Sequence, residues 1–444
     1  MALLFAWRLC RFLLEINACV SMYICIRNGR LIDPESGMDR FGDLYLAEGK
    51  IVSIDSCPEY FRDIQEIDAS GLIVCPGLVD LSARLREPGL EYMATLESEL
   101  EAAVAGGITS LACPPDTDPP LDEPGLVEML KHRARNLDQA RVYPVGALTQ
   151  GLKGERLTEM VELHDAGCVA FSQADAPIAN LHVLMRAMQY AATFGFKVWL
   201  RPQDMYLANH GVAHDGEIAT RLGLPAIPVC AETIALTDIV SLMRETGASV
   251  HLCRISSAEG VSLVRAAKQQ GLPLTCDVSI HHVHLIDMDI GFFDANCHLM
   301  PPLRGLADRN ALRAGLADGT IDAICSDHAP VDEDAKLLPF AQAEAGATGL
   351  ELLLPLTLKW ATENGLSLSE ALAKVTSCPA RILGIDTRRL VEDAPADLCI
   401  FDPDAYWTVS NAELKSQGKN TPFLGMELCG RARFTIIGGH VVYG

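Results

Sequence analysis

Arginine stands where several short apolar runs of this sequence end. GLVDLSARLREPG leads into Ser82, Arg84 and Arg86; KVWLRPQ ends in Arg201 and Gln203; SVHLCRIS ends in Arg254. Other runs deliver carboxylates and imidazoles. TSLACPP is followed by Asp116, CVAFSQ by Asp175 after Ser172 and Gln173, PLTCDVS by His281, His282 and His284, and DAICSDHAP carries Asp327 and His328. Two chemistries compete for such a set. Guanidinium offers five N–H donors and no lone pair, so it binds carboxylates and other anions but not cations. Imidazole and carboxylate can hold a metal ion, and on a strand His282 and His284 would share one face, with Asp327 as a third ligand. The alternative reading of those histidines is ordinary loop and core residues.

The elements that must position these groups follow a regular rhythm. About eight apolar runs, from IVCPGLVDLS to DAICSDHAP, alternate with helical stretches such as LESELEAAVAGG and EGVSLVRAAKQQG. That alternation predicts an α/β fold of the (β/α)8 type, a TIM-like barrel over residues 76–385, in which reactive groups sit where the strands end. A doubly wound open sheet is the competing arrangement, but no GxGxxG or Walker loop stands at a strand-to-helix turn. Residues 22–75 instead alternate at period two, punctuated by Asn28-Gly29 and Glu48-Gly49, and residues 386–444 repeat that texture. The two terminal pieces are expected to pair into one small β-sandwich domain.

A net charge of -22 over 444 residues opposes phosphate backbones and anionic lipid, which argues against nucleic-acid and membrane partners. The 15 cysteines include no CxxC pair, as expected of buried, reduced thiols in a cytoplasmic protein. Residues 1–21 are interrupted by Arg8, Arg11 and Glu15, too often for a signal peptide or a membrane span. They read as a loosely attached helix or as sequence upstream of a start at Met22, with a membrane-touching amphipathic helix as the alternative.

GLVDLSARLREPG, AAVAGGITSLACPPDTDPP, LGLPAIPVCAET, HLCRISSAEG, MPPLRGLADR, SDHAP and ADLCIFDP together resemble the dihydroorotases of the amidohydrolase superfamily, in the family's order and over nearly all of the chain after Met22. The resemblance implies a metal-bearing barrel with a β domain assembled from both termini. It also implies zinc as cofactor, a metal ligand and general base at Asp327, and a substrate-carboxylate arginine at Arg86. Around these the sequence departs from the pattern. The family's His-x-His-Leu-Arg is here Ser82-Ala83-Arg84-Leu85-Arg86, and the bridging acid or carbamylated lysine of strand four is replaced around Gln173. The two later histidines are Arg201 and Arg254, and the one after SDHAP is Val331. Asp116 and Met300 stand where asparagines help to grip the substrate.

A catalytic zinc needs about three lone-pair donors and an open water position. One guanidinium about 4 Å from a dication opposes it by about 8 kcal/mol at an effective dielectric near 20. Metal binding at the family's position is therefore expected to be lost, no cofactor is expected, and Asp327 is expected to pair with an arginine instead. The chain resembles, through its CPP and NTPF segments (Cys113–Pro115, Asn420–Phe423), the non-catalytic members that accompany aspartate carbamoyltransferase in pyrimidine biosynthesis. The expected partner is that enzyme's catalytic chain, and a homo-oligomer is expected. Two alternatives stand beside this reading: an active cyclic amide hydrolase with a relocated or metal-free site, and a sensor of small anions at the arginine-lined mouth.

Overall fold

A computed structural model of the protein describes residues 23–386 and 389–444; the leader and the start at Met22 lie outside the described residues. The chain opens with β1 (Ile24–Asp33), β2 (Met38–Ala47), β3 (Lys50–Ile54), β4 (Gln65–Asp68) and β5 (Ile73–Pro76). Next come β6 (Leu78–Asp80), β7 (Ile108–Cys113), β8 (Arg141–Ala147), β9 (Ala170–Ser172) and β10 (Lys197–Leu200). A short pair, β11 (Ala213–His214) and β12 (Ala226–Ile227), interrupts the series before β13 (Ser249–Leu252), β14 (Leu274–Ser279) and β15 (Ala323–Cys325). The chain closes on β16 (Leu398–Thr408), β17 (Glu427–Ile437) and β18 (His440–Tyr443).

Strands β6–β10 and β13–β15 form the eight-stranded parallel barrel. Its seam closes just beyond the strands: Ala83 bridges His328, with Arg84 N donating to His328 O at 2.9 Å and His328 N to Ser82 O at 3.0 Å. Val79, Leu81, Ala112, Val145, Ala170, Trp199, Ala323 and Cys325 form an interior cluster, joined by Ala380, Ile382 and Leu383 of the helix Ser377–Leu383. The surrounding helices bury their apolar stripes on the outer face of the strands, as the alternating sequence requires.

The expected β-sandwich takes the form of one continuous mixed sheet, β18-β17-β16-β5-β1-β2-β3 with β4 beside β1, enclosing a separate core around Ile24, Ile26, Leu44, Leu46, Val74 and Ile400. Glu48-Gly49 is the tight turn between β2 and β3, with positive φ at both residues, as a two-residue hairpin demands. Asn28-Gly29 is not a turn. Asn28, at φ 60°, marks a register shift inside the long strand β1. A single Asn-Gly pair signals φ > 0, and a bulge satisfies that as well as a hairpin does.

The apolar run IVCPGLVD also divides. Residues 73–76 belong to the mixed sheet and 78–80 to the barrel, with Gly77 between them. A Cβ at Gly77 would lie 2.2 Å from Thr109, so the two layers meet too closely there for any side chain.

Candidate functional site: an ion-paired barrel mouth

At the C-terminal ends of the strands the chain repeatedly takes the left-handed conformation at residues other than glycine. Arg86 (φ 63°), Ala174 (φ 49°), Arg254 (φ 56°) and Asp327 (φ 49°) each follow a barrel strand. Such backbone costs about 1–2 kcal/mol per residue and persists where the surroundings over-determine it.

Three guanidinium groups meet at one carboxylate. Arg84 Nη2 donates to Asp175 Oδ2 at 2.7 Å, Arg201 Nε to Asp175 Oδ1 at 2.5 Å, and Arg254 Nη2 to Asp175 Oδ1 at 2.5 Å. Arg201 Nη2 also reaches the Asp175 carbonyl at 3.1 Å, and its Nη1 donates to Gln203. Burial alone would raise the Asp175 carboxyl, but Arg254, Arg201 and Arg84 together hold it well below the usual carboxylate range.

Asp327 accepts from Arg254 Nη1 at 3.0 Å and lies 3.7 Å from Arg84 Nη1. Its burial outweighs these partners, so its carboxyl is raised. Asp116 accepts from Arg84 Nε at 2.8 Å, which neutralises the carboxylate that would have repelled a substrate anion. Arg86 stands apart from this network. Its Nε donates to Pro330 O at 2.8 Å, and Glu344 lies 4.0 Å from its Nη2. Met300 contributes its carbonyl, which accepts from Arg254 Nη1 at 3.1 Å. Gln173 turns from the network: its Oε1 accepts from Thr149 Oγ1 at 3.0 Å.

The histidines that would share a face on a strand lie in a short helix, Ile280–His284, where residues two apart point in different directions. His282 Nε2 faces the carbonyls of Pro301 and Pro302 at 3.1 and 3.2 Å, and His284 Nε2 that of Leu356 at 2.9 Å. Each of those nitrogens must carry a proton to make its bond. Burial pushes both imidazoles down to about 4, so they are neutral.

A zinc ion, implied by the family resemblance, does not fit the mouth. Arg84, Arg201 and Arg254 have no lone pair to give, and both oxygens of Asp175 and Oδ1 of Asp327 are already held by them. Among the described residues one group could hold a metal: His251, Cys253 and Asp277. This set is atypical. His251 Nε2 is 3.0 Å from Asp277 Oδ2, its Nδ1 is 2.9 Å from Thr275 Oγ1, and Asp277 Oδ1 accepts Arg254 N at 2.6 Å. Burial raises the Cys253 thiol well above its ordinary value, which disfavours the thiolate a metal requires.

Several quoted motifs serve architecture. Glu232 of VCAET is buried and accepts from the backbone N–H groups of Ser256 and Ser257, at 3.0 and 3.1 Å, and from both hydroxyls. Arg304 of MPPLR reaches Ser256 Oγ and the Ile227 carbonyl. Gly260 of SSAEG is obligatory, since a Cβ there would lie 2.3 Å from Glu232 Oε1. His328 of SDHAP donates from Nε2 to Glu99, whose carboxylate also accepts Ser416 Oγ at 2.7 Å and Gln417 N at 3.0 Å. Sequence reasoning missed Glu99 and Glu232, because a buried acid's partners come from remote segments.

The comparisons with known proteins match this architecture. The Dihydro-orotase-like family profile covers residues 71–260 and an Amidohydrolase family profile residues 217–443. A "Dihydroorotase-like protein" from Pseudomonas aeruginosa is 44% identical over 422 residues, 95% of this chain and 100% of that protein. The chain belongs to the dihydroorotase-like family of amidohydrolases. Another relative, a "Dihydroorotase" from Geobacter sp. strain M21, is 41% identical over 95% of this chain and 99% of its own length. Among solved structures, the L-hydantoinase of Arthrobacter aurescens superposes with a TM-score of 0.84 at 25% identity, covering 95% of this chain and 96% of that one. Among the described residues no helix of this dihydroorotase-like chain is long and apolar enough to cross a membrane.

Two other buried carboxyls give the chain a pH dependence. Burial raises Asp80 to about 6, against hydrogen bonds from Ser326 N and Oγ at 2.6 Å. Burial likewise raises Glu351 to about 7, against the N–H groups of Lys415 and Ser416. A carboxyl raised on folding stabilises fully below its unfolded value, about 4, and that stability is lost as pH rises through the folded value. Asp175 acts oppositely, but only as pH falls below about 4. His281, His282, His284 and His298, pushed down by burial to about 3 to 4, oppose this, because their stability is lost as pH falls from about 6.5 through those values. The carboxyl contribution is therefore read by difference: the melting temperature of Asp80→Asn relative to wild type should rise as pH goes from 5 to 7.

Proposed function

We propose that this chain is a non-catalytic dihydroorotase homologue, acting as a structural and assembly subunit for the catalytic chain of aspartate carbamoyltransferase in cytoplasmic pyrimidine biosynthesis. The observation that carries the reading is the mouth: guanidinium groups of Arg84, Arg201 and Arg254 fill the space around Asp175 and Asp327. Without a metal there is no activated hydroxide and no Lewis acid to polarise a cyclic amide. None of the arginines is a general base at neutral pH. What remains functional is the outer surface of a well-packed barrel, which suits docking of a partner. The name "Dihydroorotase-like protein" carried by relatives from Pseudomonas aeruginosa and Pseudomonas putida supports the same direction.

The second reading, an active cyclic amide hydrolase, draws on relatives at 41% identity named "Dihydroorotase" and on the His251, Cys253 and Asp277 group. Two measurements separate the readings. Purified protein should hold less than about 0.1 zinc per chain, since guanidinium supplies no ligand, and should turn over dihydroorotate in neither direction. Co-expressed with the transferase catalytic chain of its own source, it should co-purify in a defined complex, and deletion of its gene should abolish or destabilise transferase activity. Stoichiometric zinc with turnover would overturn the proposal. So would a transferase that assembles and works unchanged without this chain.

A further inference from the structure

Large apolar side chains stand exposed on the loops that follow β6, β14 and β15, around the outside of the mouth. Tyr92 is 63% exposed, Met288 63%, Leu337 76% and Phe292 94%, the last more than any other large apolar residue among the described ones. A cavity of about 400 Å³ opens between these loops, with Tyr92, Leu337 and Leu424 on its wall, and Lys336 ties two of them together by donating to Ala295 O at 3.0 Å. Packing does not explain why Phe292 is presented to solvent. Its ring meets that of Phe293 at 5.7 Å, and Phe293 holds a left-handed backbone at φ 63°. A bulky residue rarely takes that conformation, and strain of this kind clusters at binding sites. Exposed apolar patches mark interaction surfaces, where a few aromatic and aliphatic anchors carry most of the binding energy.

Charge narrows the occupant. Asp294, Asp332 and Glu333 line the same cavity, with Asp289 and Asp334 beside them on the same loops. Against these carboxylates stand two ammonium groups, Lys336 and Lys419, and both are engaged by backbone. Lys336 also donates to Glu344 O at 2.6 Å, and Lys419 to Leu414 O and Ser416 O at 2.6 and 2.5 Å. The rim is therefore negative, and a second copy would set two rims of like charge against each other. We propose that this rim docks a partner protein through an apolar segment of that partner flanked by lysine or arginine. Phe292 and Leu337 anchor the apolar part, and Asp294, Glu333 and Asp334 face the cations. This assignment rests on the assembly role of the chain, and the partner is the transferase catalytic chain.

The probe is the transferase catalytic chain of the same source, its affinity for the full chain measured by biolayer interferometry. Phe292→Asp and Leu337→Asp should each weaken the complex at least about 30-fold, as loss of a central anchor does. Glu333→Lys with Asp334→Lys should weaken it about 10-fold and flatten its dependence on salt between about 50 and 500 mM. Tyr406→Asp, at an aromatic 72% exposed on β16 of the mixed sheet, should change the affinity by less than about 2-fold. Should one anchor variant fail to fold, the other decides. A complex indifferent to both anchor variants would overturn this surface while leaving the assembly role standing, whereas no complex with the wild type would remove both. Tighter binding after the charge reversal, or a homodimer that Phe292→Asp dissolves, would also overturn the assignment.

Discussion

Arg254→Met is expected to be the most damaging single substitution in the mouth. Arg254 is 5% exposed and holds two carboxylates, Asp175 at 2.5 Å and Asp327 at 3.0 Å. Methionine fills much of the same volume but leaves Asp327, itself 6% exposed, with only Arg84 at 3.7 Å. Removing one partner of a buried ion pair costs about 3–5 kcal/mol, because the other charge stays behind without compensation. With an unfolding entropy of about 2.1 cal/mol/K per residue, 444 residues give roughly 0.9 kcal/mol/K, and the melting temperature should fall by about 3–5 °C. The loss should also depend on pH. Asp327 is already raised by burial, and without Arg254 it rises further, so stability is lost as pH climbs through the new value. Melts of wild type and variant should diverge from pH 5 toward pH 8. A variant that melts within 1 °C of wild type at every pH would contradict the network.

The triple substitution Arg84→His, Arg201→His and Arg254→His should change the chemistry of the mouth rather than weaken it. Three positive charges leave and three imidazoles arrive beside Asp175 and Asp327, whose oxygens are set free. At about 4 Å and an effective dielectric near 20, each guanidinium removed relieves about 8 kcal/mol of repulsion toward a dication. Carboxylate and imidazole are zinc ligand types. Zinc binding should pass from undetectable in the wild type to micromolar or tighter in the variant, measured by competition with a chromogenic chelator. Variants that keep any one of the three arginines should fall well short, since the remaining guanidinium still opposes the ion. Failure of the triple variant to bind zinc, in protein that melts cooperatively, would show that charge is not what keeps metal out.

The barrel was legible because its alternation is written locally, in apolar runs such as KVWL and SVHL followed by amphipathic helices. The mouth was legible in part. Arg84, Arg201 and Arg254 could be placed at strand ends from those runs alone, and a pairing between Asp327 and an arginine followed from charge. Asp175 as the shared counter-charge did not follow, because a carboxylate just past a strand end reveals nothing of which side chains lean toward it. His282 and His284 left two readings open for a related reason: HxH has the same spacing on a strand or in a helical turn, and the N-cap at Ser279 (its side chain accepting from His281 N) decides for the helix. Glu99 and Glu232 show the general limit. Glu99 is bonded to residues 229 and 317 positions away, so the sequence displays the acid but not its tether.

The passage from mixed sheet to barrel at Gly77 bears on how such a protein can be divided or diversified. β5 hydrogen-bonds to β16 in one body, and two residues later β6 pairs with β7 in the other. No hinge or spacer separates them, and Asp397, just before β16, accepts from Gly77 N at 2.9 Å and binds Arg141 of β8. The two bodies are thus laced together and cannot be exchanged as cassettes. Grafting a foreign small domain onto this barrel would break the Gly77–Asp397 and Arg141–Asp397 contacts that lace the two together.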